Sequence, residues 1–290
     1  MIKAIISGFG FILIAKNYNL YLSLNEMNKK STIKEFGDQF KYHNKIDDYW
    51  GSADMLKDIV NPFDLKLIKD KIICEVGIGS GRIIKSLSKF YPKKIYAIEP
   101  SESINVAKKN NENSDIEIIY QNLPGQNIKY QNEFDYVFSL GVIHHIPEAD
   151  VVCKNIFKSL KTNGKFIIWL YGKEGNELYL IIFNNLRKVT KFLPDKLLNL
   201  ISFFLNIFLS VYIFLCNYIN LPLKKYMINV LKKCSFEKRK YIIFDQLNPS
   251  YSKYYLKNEV HSLLRDAGFK NIEIINRHGY SWTAIAEKIN

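Results

Sequence analysis

The chain has 290 residues, with 41 Lys and Arg against 28 Asp and Glu, a formal charge of +13 and a hydrophobic share of 48%. Those values exclude a disordered tail, and 14 Gly with 4 Cys exclude a collagen-like repeat or a disulfide-stapled miniprotein. The length allows one large domain or two small ones, each with material for a real core.

The four cysteines, Cys74, Cys153, Cys216 and Cys234, lie far apart with no CxxC and no Cys/His cluster. Neither a disulfide framework nor a metal site is expected, and a reducing, cytoplasmic compartment is. Only five basic residues are Arg (Arg82, Arg187, Arg239, Arg265, Arg277), and the lysines are dispersed in pairs such as Lys93-Lys94 and Lys224-Lys225. Phosphate recognition favours Arg forks, so nucleic acid is the lesser expectation, and attraction to an anionic membrane surface fits the charge equally well.

The N-terminus opens with Lys3 and an apolar run, Ala4 to Ala15, of 12 residues, too short to span a bilayer. No small-x-small cleavage pattern follows it. Residues 1–35 therefore read as an apolar leader helix or weak membrane contact outside the catalytic unit. From Lys71 the pattern is regular. Ile72, Ile73, Cys74 and Val76 form a continuous apolar run before a Gly-rich turn, as a buried parallel strand does. The order that follows is helix 82–89, strand 95–98, helix 101–110, strand 116–120, strand 136–140, helix 148–160 and strand 165–171. This alternation with short connections is that of a doubly wound α/β sheet.

After an interruption of about 80 residues, helix 257–267 and strands 272–275 and 281–287 complete the pattern. The chain thus divides into a core at 36–172, an apolar helical insertion at 173–250 and a return of the core sheet at 251–290. The insertion contains 27 uncharged residues, Leu197 to Leu223, long enough for a transmembrane candidate. Its Asn199, Ser202, Asn206, Ser210, Asn217 and Asn220 fall within one helical stripe. Three readings stay open: a packed cap, a membrane-surface element and a true span.

The sharpest local signal is Glu75-Val76-Gly77-Ile78-Gly79-Ser80-Gly81 between a strand and a helix. Its glycines permit a tight turn and close approach of a ligand to the main chain. Arg82 stands where a dinucleotide fingerprint has its third glycine, and the carboxylate of Glu75 suits a cationic ligand. S-adenosylmethionine, with a sulfonium and an ammonium, meets that charge logic better than a nicotinamide dinucleotide. Glu99 ends the next strand, followed by Pro100 and Ser101, at the spacing from which an acid reaches an adenosine ribose.

With these residues the sequence resembles the class I S-adenosylmethionine-dependent methyltransferases, through ICEVGIGSGRI, IYAIEPS and FDYVFSLGVIHHIPEAD. The resemblance implies a Rossmann-like, seven-stranded methyltransferase sheet with the helical insertion before its last strands, and S-adenosylmethionine as cofactor. It further implies that Glu75, Gly77, Gly79 and Gly81 hold the methionine portion. Glu99, with Pro100 and Ser101, would bind the ribose. Asn122 and Leu123 would border the adenine, although Asn122 stands where many relatives carry Asp. Ser139, Leu140 and Gly141 would flank the methionyl group.

The flanks FGDQF, YWGS, LYGKEGN, FDQLNPSYSKYY and RHGYSW look like a narrower bacterial branch of unassigned or surface-polysaccharide context. No Asn/Asp-Pro-Pro-Tyr/Phe or Pro-Cys motif points to a base-amine or cytosine acceptor. Histidine suits the proton acceptor of an oxygen nucleophile, and His144 and His145 follow a strand end, where open α/β sheets bind ligands. Either could instead pack or cap the next helix. Tyr171, Asp245, Gln246, Tyr251, Tyr254 and Tyr255, with Arg277, His278, Tyr280 and Trp282, form an acceptor wall or an aromatic core where the insertion rejoins the sheet.

The expected activity is methyl transfer to a small-molecule, sugar or lipid-linked acceptor, at oxygen. Alternatives are an RNA methyltransferase and a non-catalytic S-adenosylmethionine-binding protein. The expected location is cytoplasmic, peripheral at the inner membrane face through residues 197–223.

Overall fold

The computed structural model describes residues 33–34, 49, 51–190, 193–247 and 251–289. The apolar run Ala4–Ala15 and the FGDQF segment lie outside the described residues, as does Trp50 of YWGS.

Seven strands form one sheet: β1 (Ile72–Val76), β2 (Lys94–Ile98), β3 (Glu117–Gln121), β4 (Phe134–Leu140), β5 (Leu160–Tyr171), β6 (Lys270–Arg277) and β7 (Ser281–Glu287), in the order β3-β2-β1-β4-β5-β7-β6. β1 to β5 are parallel, and β7 runs antiparallel between β5 and β6. The order reverses between β1 and β4, which opens a crevice at their carboxyl ends.

Helices cover both faces, which is why β1 is apolar on both sides. On one face, Met55 and Leu56 of α1 (Ala53–Val60) and Ile84 and Leu87 of α2 (Arg82–Ser88) pack on Ile73 and Ile95; α3 (Ser103–Asn110) adds Ile104 and Ala107. On the other, Val152 and Ile156 of α4 (Ala149–Ser159) join Val260 and Leu264 of α9 (Lys257–Asp266) against Val137, Phe166 and Ile168.

The insertion folds as α5 (Glu177–Thr190), α6 (Asp195–Leu215), α7 (Lys224–Asn229) and α8 (Phe236–Leu247). The 27-residue uncharged run is therefore not one helix. α6 ends at Leu215, and the chain turns through Pro222 to Leu223, whose φ of 56° begins α7. Ser202 and Asn206 of the polar stripe are buried toward α8, where Asn206 Nδ2 donates to the Phe236 carbonyl at 2.8 Å. Asn199, Asn217 and Asn220 are exposed. Helices α1 and α8 were not anticipated, and β5 starts at Leu160 because it already pairs with Phe134 across a register shift.

Candidate active site

The glycine loop sits at the crevice. Gly77 N–H donates to the Ile98 carbonyl at 2.8 Å, and Gly77, at φ +83°, has no room for a side chain: a Cβ there would lie 2.4 Å from Val142. Glu99 clamps the same loop. Its Oε2 accepts from Gly79 N–H at 3.0 Å, while Oε1 accepts from Ser101 N–H at 3.0 Å and from Ser101 Oγ at 2.6 Å. The loop is thus shaped by the residue expected at the ribose.

Glu75, Gly77, Gly79, Glu99, Pro100, Leu140, Gly141 and His145 line a common cavity at this loop. Glu75 is buried, and its Oε2 has no hydrogen-bond partner among the described residues. Burial pushes its carboxyl well above the usual range; Arg82 opposes this and Glu99 adds to it. An unsatisfied buried acid is costly to ionise, so this cavity fits a ligand that brings positive charge to Glu75. The glycine cradle and that carboxylate match the methionyl end of S-adenosylmethionine.

Other expected contacts lie behind this wall. Gly81 caps α2 in the left-handed region, φ +77°, where a Cβ would lie 2.5 Å from Asn111 Nδ2. Ser139 Oγ donates to the Val76 carbonyl and ties β4 to β1. Asn122 donates to the carbonyls of Glu99 and Ser101 at 3.1 and 3.4 Å, and Leu123 packs into the core. Ser101 faces Glu99. The wall expected at Asn122 and Leu123 is instead supplied by Pro124, Gly125 and Gln126, because the Asn122 amide is used to turn the chain after β3. The Pro-Gly pair was the available sequence signal.

A second cavity of about 440 Å³ adjoins the first. Arg82, Ile83, Leu140, Gly141 and His145 line both. Most of its remaining walls come from the insertion, including Tyr179 and Phe183 of α5, Leu205, Phe208 and Leu209 of α6, Tyr226 of α7 and Tyr241 of α8. None of these was singled out in the sequence. Burial pulls the Arg82 guanidinium below its usual range, while Tyr241, Glu75, Tyr171 and Asp245 work in the opposite direction.

Tyr171, Asp245, Gln246, Tyr254 and Tyr280 line this second cavity. Gln246 is a junction: it donates to Tyr171 Oη at 3.1 Å and accepts from Arg187 at 3.1 Å and from Tyr254 at 3.2 Å. Tyr251, Tyr255, Arg277 and His278 line neither cavity. Tyr255 is buried beside β5, its N–H donating to the Tyr171 carbonyl, and Trp282 Nε1 donates to the Tyr255 carbonyl. Arg277 bonds Tyr280 and Asp58, and His278 Nε2 lies 3.0 Å from Asp58 Oδ1. This pair fastens α1 to the β6–β7 hairpin instead of walling the cavity.

The two histidines separate in the same way. His144 is fully buried, both ring nitrogens lack partners, and its ring lies 3.9 Å from that of Tyr171. Burial first, then the neighbouring His145, hold it well below the usual histidine pKa. It lines neither cavity. His145 lines both, and its Nδ1 is 2.9 Å from the Tyr251 carbonyl. A carbonyl can only accept, so this bond places the proton on Nδ1 and leaves Nε2 as the basic nitrogen.

Among known families, a model described as "Methyltransferase domain" matches residues 74–168. The tRNA U34 carboxymethyltransferase of Helicobacter pylori (strain P12) is 28% identical over 135 residues, 43% of this chain and 48% of that protein. The protein of the same name from Aliarcobacter butzleri (strain RM4018) is 25% identical over 141 residues, 46% and 43% of the two chains. This chain thus spans about half the length of the curated relatives it matches. Solved structures with a similar fold include Haemonchus contortus phosphoethanolamine N-methyltransferase 2 with phosphomonomethylethanolamine and S-adenosylhomocysteine (15% identity, 82% of this chain and 52% of that one, TM-score 0.49). Another is human N-acetylserotonin methyltransferase with S-adenosylmethionine (15%, 81% and 51%, TM-score 0.47). Residues 74–168 thus match a methyltransferase domain, and the strand order with its reversed β7 and the acid-flanked glycine loop agree with an S-adenosylmethionine-dependent methyltransferase of class I.

Proposed function

We propose that the protein transfers a methyl group from S-adenosylmethionine to an oxygen of a small, largely apolar or lipid-linked acceptor held in the cavity beneath the insertion. The observation that carries this reading is the junction of the two cavities at Arg82, Gly141 and His145, beside the Glu75 carboxyl group, whose Oε2 has no hydrogen-bond partner among the described residues. When bound, the cofactor supplies an activated methyl group. Glu75 and the glycine loop hold its cationic end, and Glu99 keeps the loop in shape. His145 Nε2 accepts the proton of an acceptor hydroxyl, and the aromatic walls keep water from the reacting atoms. Cys74, Cys153, Cys216 and Cys234 are all buried as thiols, which fits a reducing, cytoplasmic setting.

RNA is the second reading. The names of the curated relatives favour it, against the expectation drawn from the dispersed lysines. The apolar lining of the cavity speaks for the first.

Calorimetric titration with S-adenosylmethionine, S-adenosylhomocysteine and NAD is the test of the cofactor. Binding of the first two alone supports methyl transfer, and binding of NAD alone overturns it. Transfer of labelled methyl into extracted lipids and into total RNA, at rising salt, then separates the acceptors, since RNA binding falls steeply with salt. With an acceptor in hand, His145→Ala is expected to lower turnover about 100-fold or more. Because His145 also borders the cofactor cavity, cofactor affinity should fall as well, but far less than turnover.

A further inference from the structure

Helix α6 has its polarity reversed relative to an ordinary surface helix. Its polar Ser202 and Asn206 are fully buried. Its outer side presents Leu200, Phe204, Ile207, Phe208, Val211 and Phe214, each 43% to 71% exposed. At about 100° per residue these lie on an arc of about 120° that contains no polar side chain from Leu197 to Leu215, with Lys196 at its edge in the first turn. The feature is local. Of nineteen exposed large apolar side chains among the described residues, all but Leu67, Tyr91, Val151 and Ile289 fall between Ile181 and Ile219. A contiguous apolar surface of this kind marks an interface.

Charge indicates what covers it. Between Lys173 and Leu247 there are twelve basic residues against five acidic ones. Lys196 is exposed at the start of α6, and Lys224 and Lys225 follow its end. A second copy of the chain would bring two such basic rims together, whereas an anionic lipid surface complements them. Length alone would allow a span, since 21 residues of helix rise about 30 Å. The inner side forbids it: Asn206 donates to the Phe236 carbonyl, and Arg239 Nη2 donates to Ser210 Oγ at 3.4 Å, so lipid cannot surround the helix.

We propose that α6 lies in the plane of an anionic membrane surface, its outer arc at the acyl boundary and the flanking lysines on the headgroups. Phe208 belongs both to this arc and to the rim of the acceptor cavity, so that cavity borders the membrane contact. If methyl transfer is the activity, an amphiphilic acceptor passes from lipid to the site without crossing water.

The test is co-flotation of the full chain with vesicles of phosphatidylcholine, alone or with about 30% phosphatidylglycerol. The chain is expected to float with the anionic vesicles, and both Phe204→Glu/Phe214→Glu and Lys224→Glu/Lys225→Glu to lower the bound fraction about tenfold. Phe204, Phe214, Lys224 and Lys225 line neither cavity, so calorimetric binding of S-adenosylmethionine serves as the control for folding. Loss of cofactor binding in the parent with flotation retained would sink the methyl-transfer reading and leave this one standing. Three results overturn the membrane contact. The parent fails to float with either vesicle. The Phe204→Glu/Phe214→Glu variant floats like the parent, placing the contact elsewhere, as on the apolar run Ala4–Ala15. The parent is a dimer that this variant turns into a monomer.

Discussion

Glu75 and His144 are both buried without adequate partners, and each has a measurable consequence in proton uptake. Glu75 is protonated more readily than an ordinary glutamate because burial disfavours its charge. A cationic ligand reverses that balance, so binding of S-adenosylmethionine should release a proton and tighten as pH rises. Calorimetry in buffers of different ionisation enthalpy reads the released proton directly. Glu75→Gln should abolish the pH dependence and weaken binding about 10- to 100-fold. For His144 the folded-state pKa is depressed below the unfolded value of 6.5. The fold therefore holds it neutral, and the stability it contributes is present above that pH and lost as pH falls, by up to about 1.4 kcal/mol per unit. His144→Phe keeps a ring against Tyr171, so urea midpoints of this variant should depend less on pH below 6.5 than those of the parent.

At the scale of elements, α1 is joined to strands far away in sequence by one cluster. Arg277, 5% exposed at its side chain, and His278 both meet Asp58. Burial works to raise the Asp58 pKa, but the His278 hydrogen bond and the Arg277 charge hold it below the usual range. Its stabilisation is therefore present above the unfolded pKa near 3.8 and lost as pH falls through the depressed value. Asp58→Ala leaves a buried guanidinium unpaired and should cost about 3 kcal/mol, read as a lower denaturation midpoint with α1 the first segment to exchange its amides. This cluster also shows where the sequence stopped being legible. The strands β1 to β5 announce themselves as apolar runs between turns, and the glycine loop carries its own chemistry. Nothing near Arg277 or His278 signals a partner more than 200 residues upstream, so a polar cluster beside aromatics reads as a binding wall. Helix α8 was hidden for a related reason: its buried Ile243 and Leu247 stand in a segment opening with Glu237, Lys238, Arg239 and Lys240.

For the molecule as a whole, the sheet carries the cofactor cavity and the insertion supplies most of the acceptor cavity. The sequence pointed to Tyr171, Asp245, Gln246, Tyr254 and Tyr280 of the acceptor walls, but the rest were illegible because Ile59, Leu209 and Tyr226 come from three separate stretches, each apolar for what looks like ordinary packing. Their division predicts a separation of effects. Leu209 lines the acceptor cavity and not the other, so Leu209→Trp should fill space there, leave the calorimetric affinity for S-adenosylmethionine within about twofold, and lower acceptor turnover more than about tenfold.

The wall shared by the two cavities implies thermodynamic coupling between their occupants. Arg82, Leu140, Gly141 and His145 cannot settle around one ligand without presetting the surface offered to the other. Whatever factor the acceptor imposes on cofactor affinity, the cofactor must impose on acceptor affinity. A ligand that arrives first thus prepays part of the ordering required by the second, whichever of the two it is.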